Sequence, residues 1–177
     1  MSILRKIALI FGIMVTIILI IASTKPDTFR VERATVIAAP AEKIFPLIND
    51  LHQWVAWSPW EKLDPALKRE YSGNPSGKGA SYAWAGNNKV GAGRMTITTS
   101  LPAARVAMDL HFIKPFEAHN TTEFVLTPTD GGTQVIWRME GPNPFMAKVM
   151  QVFFSADLMV GKDFEAGLAN LKRVAER

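Results

Sequence analysis

The chain contains no cysteine. Disulfides, thiol nucleophiles and thiolate metal sites are therefore excluded, though the redox compartment is not identified by that absence. Histidine is almost as scarce. His52, His111 and His119 fall in separate segments, and three dispersed histidines without cysteine do not read as a metal site. No G-x-S-x-G elbow and no P-loop occurs. Gly91-Ala92-Gly93 is a lone G-x-G in a hairpin, outside the strand-to-helix setting of a dinucleotide site. No cofactor is expected. Excess charge is also missing from most of the chain. The net charge is +4, but residues 1–33 hold five basic side chains against two acidic ones, and the rest hold fifteen against fourteen. The near-neutral remainder lacks the electrostatic footprint of a DNA or RNA binder, so no nucleic-acid partner is expected.

What is present begins with a run of 18 uncharged residues, Ile7 to Thr24, preceded by Arg5-Lys6 and followed by Lys25-Pro26-Asp27. This length is at the short end for a spanning helix. A cleaved signal peptide has a shorter apolar core and small residues at the cut, and Ile20 fits poorly three residues before a cut at Ala22. A buried globular helix is the other alternative. The favoured reading is an uncleaved single-pass anchor, with residues 1–28 as anchor and linker and 29–177 as the domain. The short basic N-terminus favours N-in, against which Lys25, Arg30 and Arg33 weigh on the other flank.

From Thr28 the chain alternates. Thr28–Ile37 predicts a strand and Ala41–Asn49 a short helix carrying Pro46. Trp54, Trp57 and Trp60 then stand three apart around Ser58-Pro59, reading either as a plug closing one end of a sheet or as a gate. Six further strands are predicted at 67–71, 80–85, 94–101, 105–112, 118–127 and 133–141, separated by turn residues. A helical tail follows over 145–154. From Asp157 to Ala175, Val160, Phe164, Leu168, Leu171 and Ala175 recur at helical spacing, predicting a long helix whose apolar stripe a sheet must cover. Gly161 and Gly167 on that helix either pack closely against the sheet or leave room for a ligand.

Alternation nominates one apolar face of the sheet: Tyr82 and Trp84; Met95 and Ile97; Met108, Leu110 and Phe112; Phe124; Trp137. With Phe164 and Leu168 of the last helix, these eleven residues are the expected lining of an apolar cavity. Titratable groups are few there. His111 falls on the outward, solvated face, and Asp157 reads as a helix-start residue.

The segments VIAAPAEKIFPLIND (36–50), WSPWEKLDP (57–65), YSGNPSGKGASYAWAGN (71–87), IKPFEAHNTTEF (113–124) and DFEAGLANLK (163–172), in this order, resemble the SRPBCC superfamily. That superfamily includes START lipid-transfer domains, birch-pollen-allergen-like proteins and polyketide cyclases/dehydrases. The chain is most similar to its membrane-anchored bacterial members. The resemblance implies an α+β helix-grip fold: a seven-stranded antiparallel sheet wrapped on a long C-terminal helix. It does not fix the chemistry. The favoured expectation is membrane-tethered binding or transfer of a hydrophobic small molecule or lipid. The alternatives are a polyketide cyclase/dehydrase-like enzyme with unassigned catalytic residues, and a ligand-free accessory domain of a membrane complex.

Overall fold

The computed structural model describes residues 3–177. Helix α1 covers Ile3–Ser23 and is long and apolar enough to cross a membrane. Nearly all of its side chains are exposed, so it is not the core helix of a globular domain. The sheet starts four residues later. Strand β1 (Thr28–Ile37) is followed by α2 (Ala41–Asn49) and two 3-10 turns, Leu51–Ala56 and Pro59–Lys62. Then come β2 (Lys68–Gly73), β3 (Ala80–Ala85), β4 (Ala92–Leu101), β5 (Arg105–Lys114), β6 (Ala118–Thr129) and β7 (Gly132–Pro142). Helix α3 (Phe145–Met150) and helix α4 (Ala156–Ala175) complete the chain.

The seven strands form one sheet in the order β1-β7-β6-β5-β4-β3-β2, and every pairing is antiparallel. Consecutive strands from β2 to β7 are hairpin neighbours, and β1 closes the far edge against β7. The β4–β5 ladder shifts register at Ala92/Gly93 and again between Ile97 and Thr99. Such irregularities bend and twist a strand locally, which helps the sheet curl around what it covers. The expected helical tail is shorter than its apolar run implies. Helix α3 ends at Met150, and turns carry the chain to Phe154.

Helix α4 starts on Ser155, whose Oγ accepts the Leu158 N–H at 3.1 Å. Asp157 in the first turn and Lys172 and Arg173 in the last complement the helix dipole. Its buried stripe includes Phe164, Leu168, Leu171 and Ala175, with Val160 partly buried. The helix lies mainly over β1, with further contacts to β7, α2 and both 3-10 turns. The two glycines resolve in favour of close packing. A Cβ on Gly161 would stand 2.2 Å from the Arg33 guanidinium, and one on Gly167 would stand 2.6 Å from the Trp137 ring. The space they leave is occupied by the protein's own side chains.

Candidate functional site

Register divides the inner face of the sheet into two regions. Under α4 and the 3-10 turns the face is filled by rings. Trp137 and Phe164 stack at 4.1 Å, Phe124 stacks on Trp137 at 4.8 Å, and Trp57 meets Trp137 edge-on at 5.7 Å. Trp54 donates its indole N–H to the Ile48 carbonyl at 3.0 Å, and Trp57 donates to Leu47 at 2.8 Å. These two tryptophans are buried and pinned, as a plug requires. Trp60 is half-buried at the cluster's margin, edge-on to Trp137 and Phe164. Ile97, Met108 and Leu168 are buried in the same core.

The second region lies toward the end of the sheet where β1 begins and β7 ends. The pairings bring Leu110 beside Asn120 and Met95, and Met95 beside Tyr82, which pairs with Tyr71. One row further out, Phe112 and Trp84 flank Gly93. The Trp84 ring lies over Gly93, where a Cβ would approach it to 2.5 Å, and meets Phe112 edge-on. Trp84, Leu110 and Phe112 are only partly buried, whereas Tyr82 and Met95 are buried. Of the eleven nominated residues, nine by alternation and two by helical spacing, five therefore lie around this partly open apolar end. The other six, Ile97, Met108, Phe124, Trp137, Phe164 and Leu168, pack as the wall behind it.

Two polar features of this end lie outside the nominated set. The first is Glu61, in the second 3-10 turn. Its buried carboxylate accepts from Tyr82 Oη at 2.7 Å and from Arg69 Nε at 2.6 Å. Burial, followed by this hydrogen bond to a carboxylate, pushes the Tyr82 phenol far above its ordinary range, so it stays protonated. Burial also raises Tyr71, which stacks on Tyr82 at 5.1 Å. Arg69 is held in its charged form by the Glu61 hydrogen bond. Glu61 escaped both alternation and helical spacing because it comes from a 3-10 turn with no period to read. Asp157 pairs with Arg33 at 2.6 Å, which holds its carboxyl below the usual aspartate range.

The second feature is Asn120. The alternation that places Thr122 and Phe124 inward places Asn120 there too, two residues earlier. Its side chain lies against Gly141, where a Cβ would stand 2.0 Å from Asn120 Oδ1. Among the described residues, this Oδ1 is the one buried side-chain polar atom without a hydrogen-bond partner. Buried acceptors are nearly always satisfied, so this Oδ1 lacks a donor that the surrounding side chains do not supply.

On the outer face the structure corrects the reading of the histidines. His111 and His119 are direct partners across β5 and β6, and their rings stack at 3.9 Å. Glu117 Oε1 lies 3.3 Å from His111 Nε2 and 3.8 Å from His119 Nε2. His111 is thus a half-buried member of a cluster. Two imidazoles and a carboxylate could hold a divalent ion, although a closed zinc site has four ligands. A depression of about 290 Å³ adjoins this cluster, and a groove of about 390 Å³ runs along α1 between Ala8 and Ile17.

A family model described as "Polyketide cyclase / dehydrase and lipid transport" matches residues 28–176. No curated protein matches the sequence. Many solved structures share the fold. A protein of unknown function from Staphylococcus aureus superposes with a TM-score of 0.63 at 14% identity, covering 84% of this chain and 94% of its own. A protein from Chromobacterium violaceum gives 0.58 at 14% identity, with 86% and 99% covered. A protein of the dynemicin biosynthetic locus gives 0.54 at 17% identity, with 86% of this chain and 48% of its own covered. At such identities the likeness is one of fold alone.

Proposed function

Because the chain belongs to the polyketide cyclase/dehydrase and lipid transport family, we propose that it is a membrane-tethered binder of a hydrophobic small molecule or lipid. Residues 1–28 serve as anchor and linker, with the span over residues 7–24, and residues 29–177 form the binding domain. Apolar sites with a few placed polar groups suit such ligands. The site is the partly open end of the inner sheet face, with Tyr82, Trp84, Met95, Leu110 and Phe112 around it. The observation that carries the reading is the orphaned Oδ1 of Asn120, the register partner of Leu110 at this end. A ligand hydroxyl or protonated carboxyl supplies the donor it lacks, and the chain of that ligand replaces water on Trp84, Leu110 and Phe112.

The cyclase/dehydrase alternative needs a titratable group free to exchange a proton with substrate. Tyr82 and Arg69 are both engaged with the Glu61 carboxylate, which supports binding over chemistry at these three groups.

Titration of residues 27–177 with a fluorescent fatty acid tests the reading, beside Asn120→Leu and Leu110→Trp. Saturable binding by the parent, weakened at least tenfold in both variants while their melting temperatures hold, is the expected result. A folded parent that binds nothing overturns it.

A further inference from the structure

The apolar surface of the domain is concentrated at one corner. Phe145, Met146, Phe153, Phe154, Leu158 and Met159, on α3, its following turn and the first turn of α4, all expose large apolar side chains. Met146 is 71% exposed and Phe154 59%. Isolated exposed apolar residues are ordinary, but with Met150 there are seven within 15 residues, which marks an interaction surface.

The corner is joined to α1. Helix α3 touches α1, and Ala22 near the end of α1 is completely buried. The connection between them is fixed by Asn143, itself 3% exposed. Its backbone N–H donates to the Asp27 carbonyl at 2.7 Å, and its side-chain amide donates to the Pro26 carbonyl at 3.0 Å. Gln151 Nε2 donates back to Asn143 Oδ1 at 2.8 Å. Lys148 Nζ reaches Asp27 Oδ1 at 2.6 Å. The point at which an apolar helix leaves the domain and the domain's own apolar corner are therefore one contiguous surface.

We propose that this corner is a second membrane contact, with Phe145, Met146, Phe153, Phe154, Leu158 and Met159 immersed at the lipid interface beside the anchor. The proposal rests on α1 being a membrane span. Aromatic and Met side chains suit that depth, and burying apolar area at the interface gives binding in proportion to the area immersed. The partly open end of the sheet lies toward this same side, because Phe112 pairs with Ala118 at the β6 terminus and Thr28 pairs with Pro142 at the matching end of β1 and β7. The corner thus sets the ligand site facing the bilayer.

The chain has no native cysteine, so single-cysteine variants can be labelled without background. The full chain is reconstituted in phosphatidylethanolamine–phosphatidylglycerol vesicles containing doxyl lipid. An environment-sensitive fluorophore is placed at Met146→Cys or Phe154→Cys, at Ile13→Cys within α1, and at Asp130→Cys at the opposite end of the sheet. The expected result is strong quenching at Met146, Phe154 and Ile13, with at least a fivefold contrast to Asp130. Quenching at Ile13 alone overturns the docking while sparing the anchor. Shielding of Met146 and Phe154 from water without doxyl quenching assigns the corner to a protein contact and also overturns it. A label at Ile13 that lipid does not quench removes the anchor itself.

Discussion

The rings of Trp137 and Phe164 lie face to face, 4.1 Å apart and 5° from parallel. One stands on β7 and the other on α4, so this pair joins the sheet to the helix it wraps. Gly167 allows the approach, since a Cβ there would strike Trp137. Phe164→Ala removes one half of the pair from a fully packed site. The expected loss is about 3–5 kcal/mol, against a domain stability of about 5–15 kcal/mol. Urea unfolding beside the exposed control Lys162→Ala measures it, and equal midpoints for the two variants would contradict the assignment.

The Glu61 cluster yields an ordered pair of effects. Tyr82→Phe removes one donor and leaves Arg69 in place, a cost of about 1.5–3 kcal/mol for a hydrogen bond to a charged group. Arg69→Met leaves the buried carboxylate without its cation. The cost is then about 3 kcal/mol, the low end for breaking a buried pair, because the guanidinium reaches solvent. Chemical denaturation of both variants checks the order. A harmless Arg69→Met would show that the pair is not compensating a buried charge.

Of the four carboxylates lowered by the fold, three are paired with a Lys or Arg. Lys148 lowers Asp27, Arg138 lowers Glu32 and Arg33 lowers Asp157, in each case first through a hydrogen bond. A carboxylate lowered in the folded state stabilises above its unfolded pKa and loses that contribution as pH falls through the folded value. With ordinary values of 3.8 and 4.5, the melting temperature should be insensitive to these groups at neutral pH and fall below about pH 4. Asp157→Asn should be less stable at pH 7 and converge toward the parent in acid. A constant difference across the range would dissociate Asp157 from the effect.

Gly93→Ala tests the arrangement of the proposed site. The added methyl meets the Trp84 ring at 2.5 Å and the His111 carbonyl at 2.6 Å. The carbonyl belongs to the β5 backbone and cannot move aside cheaply. A loss of about 1–3 kcal/mol is expected from overpacking, together with weaker fatty-acid binding as Trp84 is displaced. Gly131→Ala, in an open turn with only Val36 Cγ1 at 3.9 Å, is the control. Unchanged binding by a folded Gly93→Ala would remove Trp84 from the site.

The order of elements was legible because alternation with a period of two is interrupted at each turn by Pro, Gly, Asn or Asp. Strand ends were less so. Ala92 and Gly93 extend β4, and Ile113 and Lys114 extend β5, but they carry no alternation of their own. The face of most side chains was also legible, except on β1, where it is ambiguous, and beyond the register shift after Ile97, where Leu101 turns out to be exposed; the row was not. Whether Leu110 lies in a sealed core or at an open end depends on which residue of β6 it pairs with, and alternation is silent on register. The same missing register separated His111 from His119 in sequence, although they touch in space. Glu61 was hidden for a different reason: a 3-10 turn has no amphipathic period by which to assign an inside.

The bonds from Asn143 to Pro26 and Asp27 leave almost no slack between α1 and the sheet. Four residues separate Ser23 from Thr28, a reach of at most about 3.3–3.6 Å per residue even if the clamp opened. With α1 in a bilayer, the domain cannot act as a shuttle across an aqueous gap. Under the proposed binding role, a ligand would exchange only with the leaflet from which the domain emerges, searching in two dimensions by lateral diffusion, and delivery to another membrane would require a separate carrier.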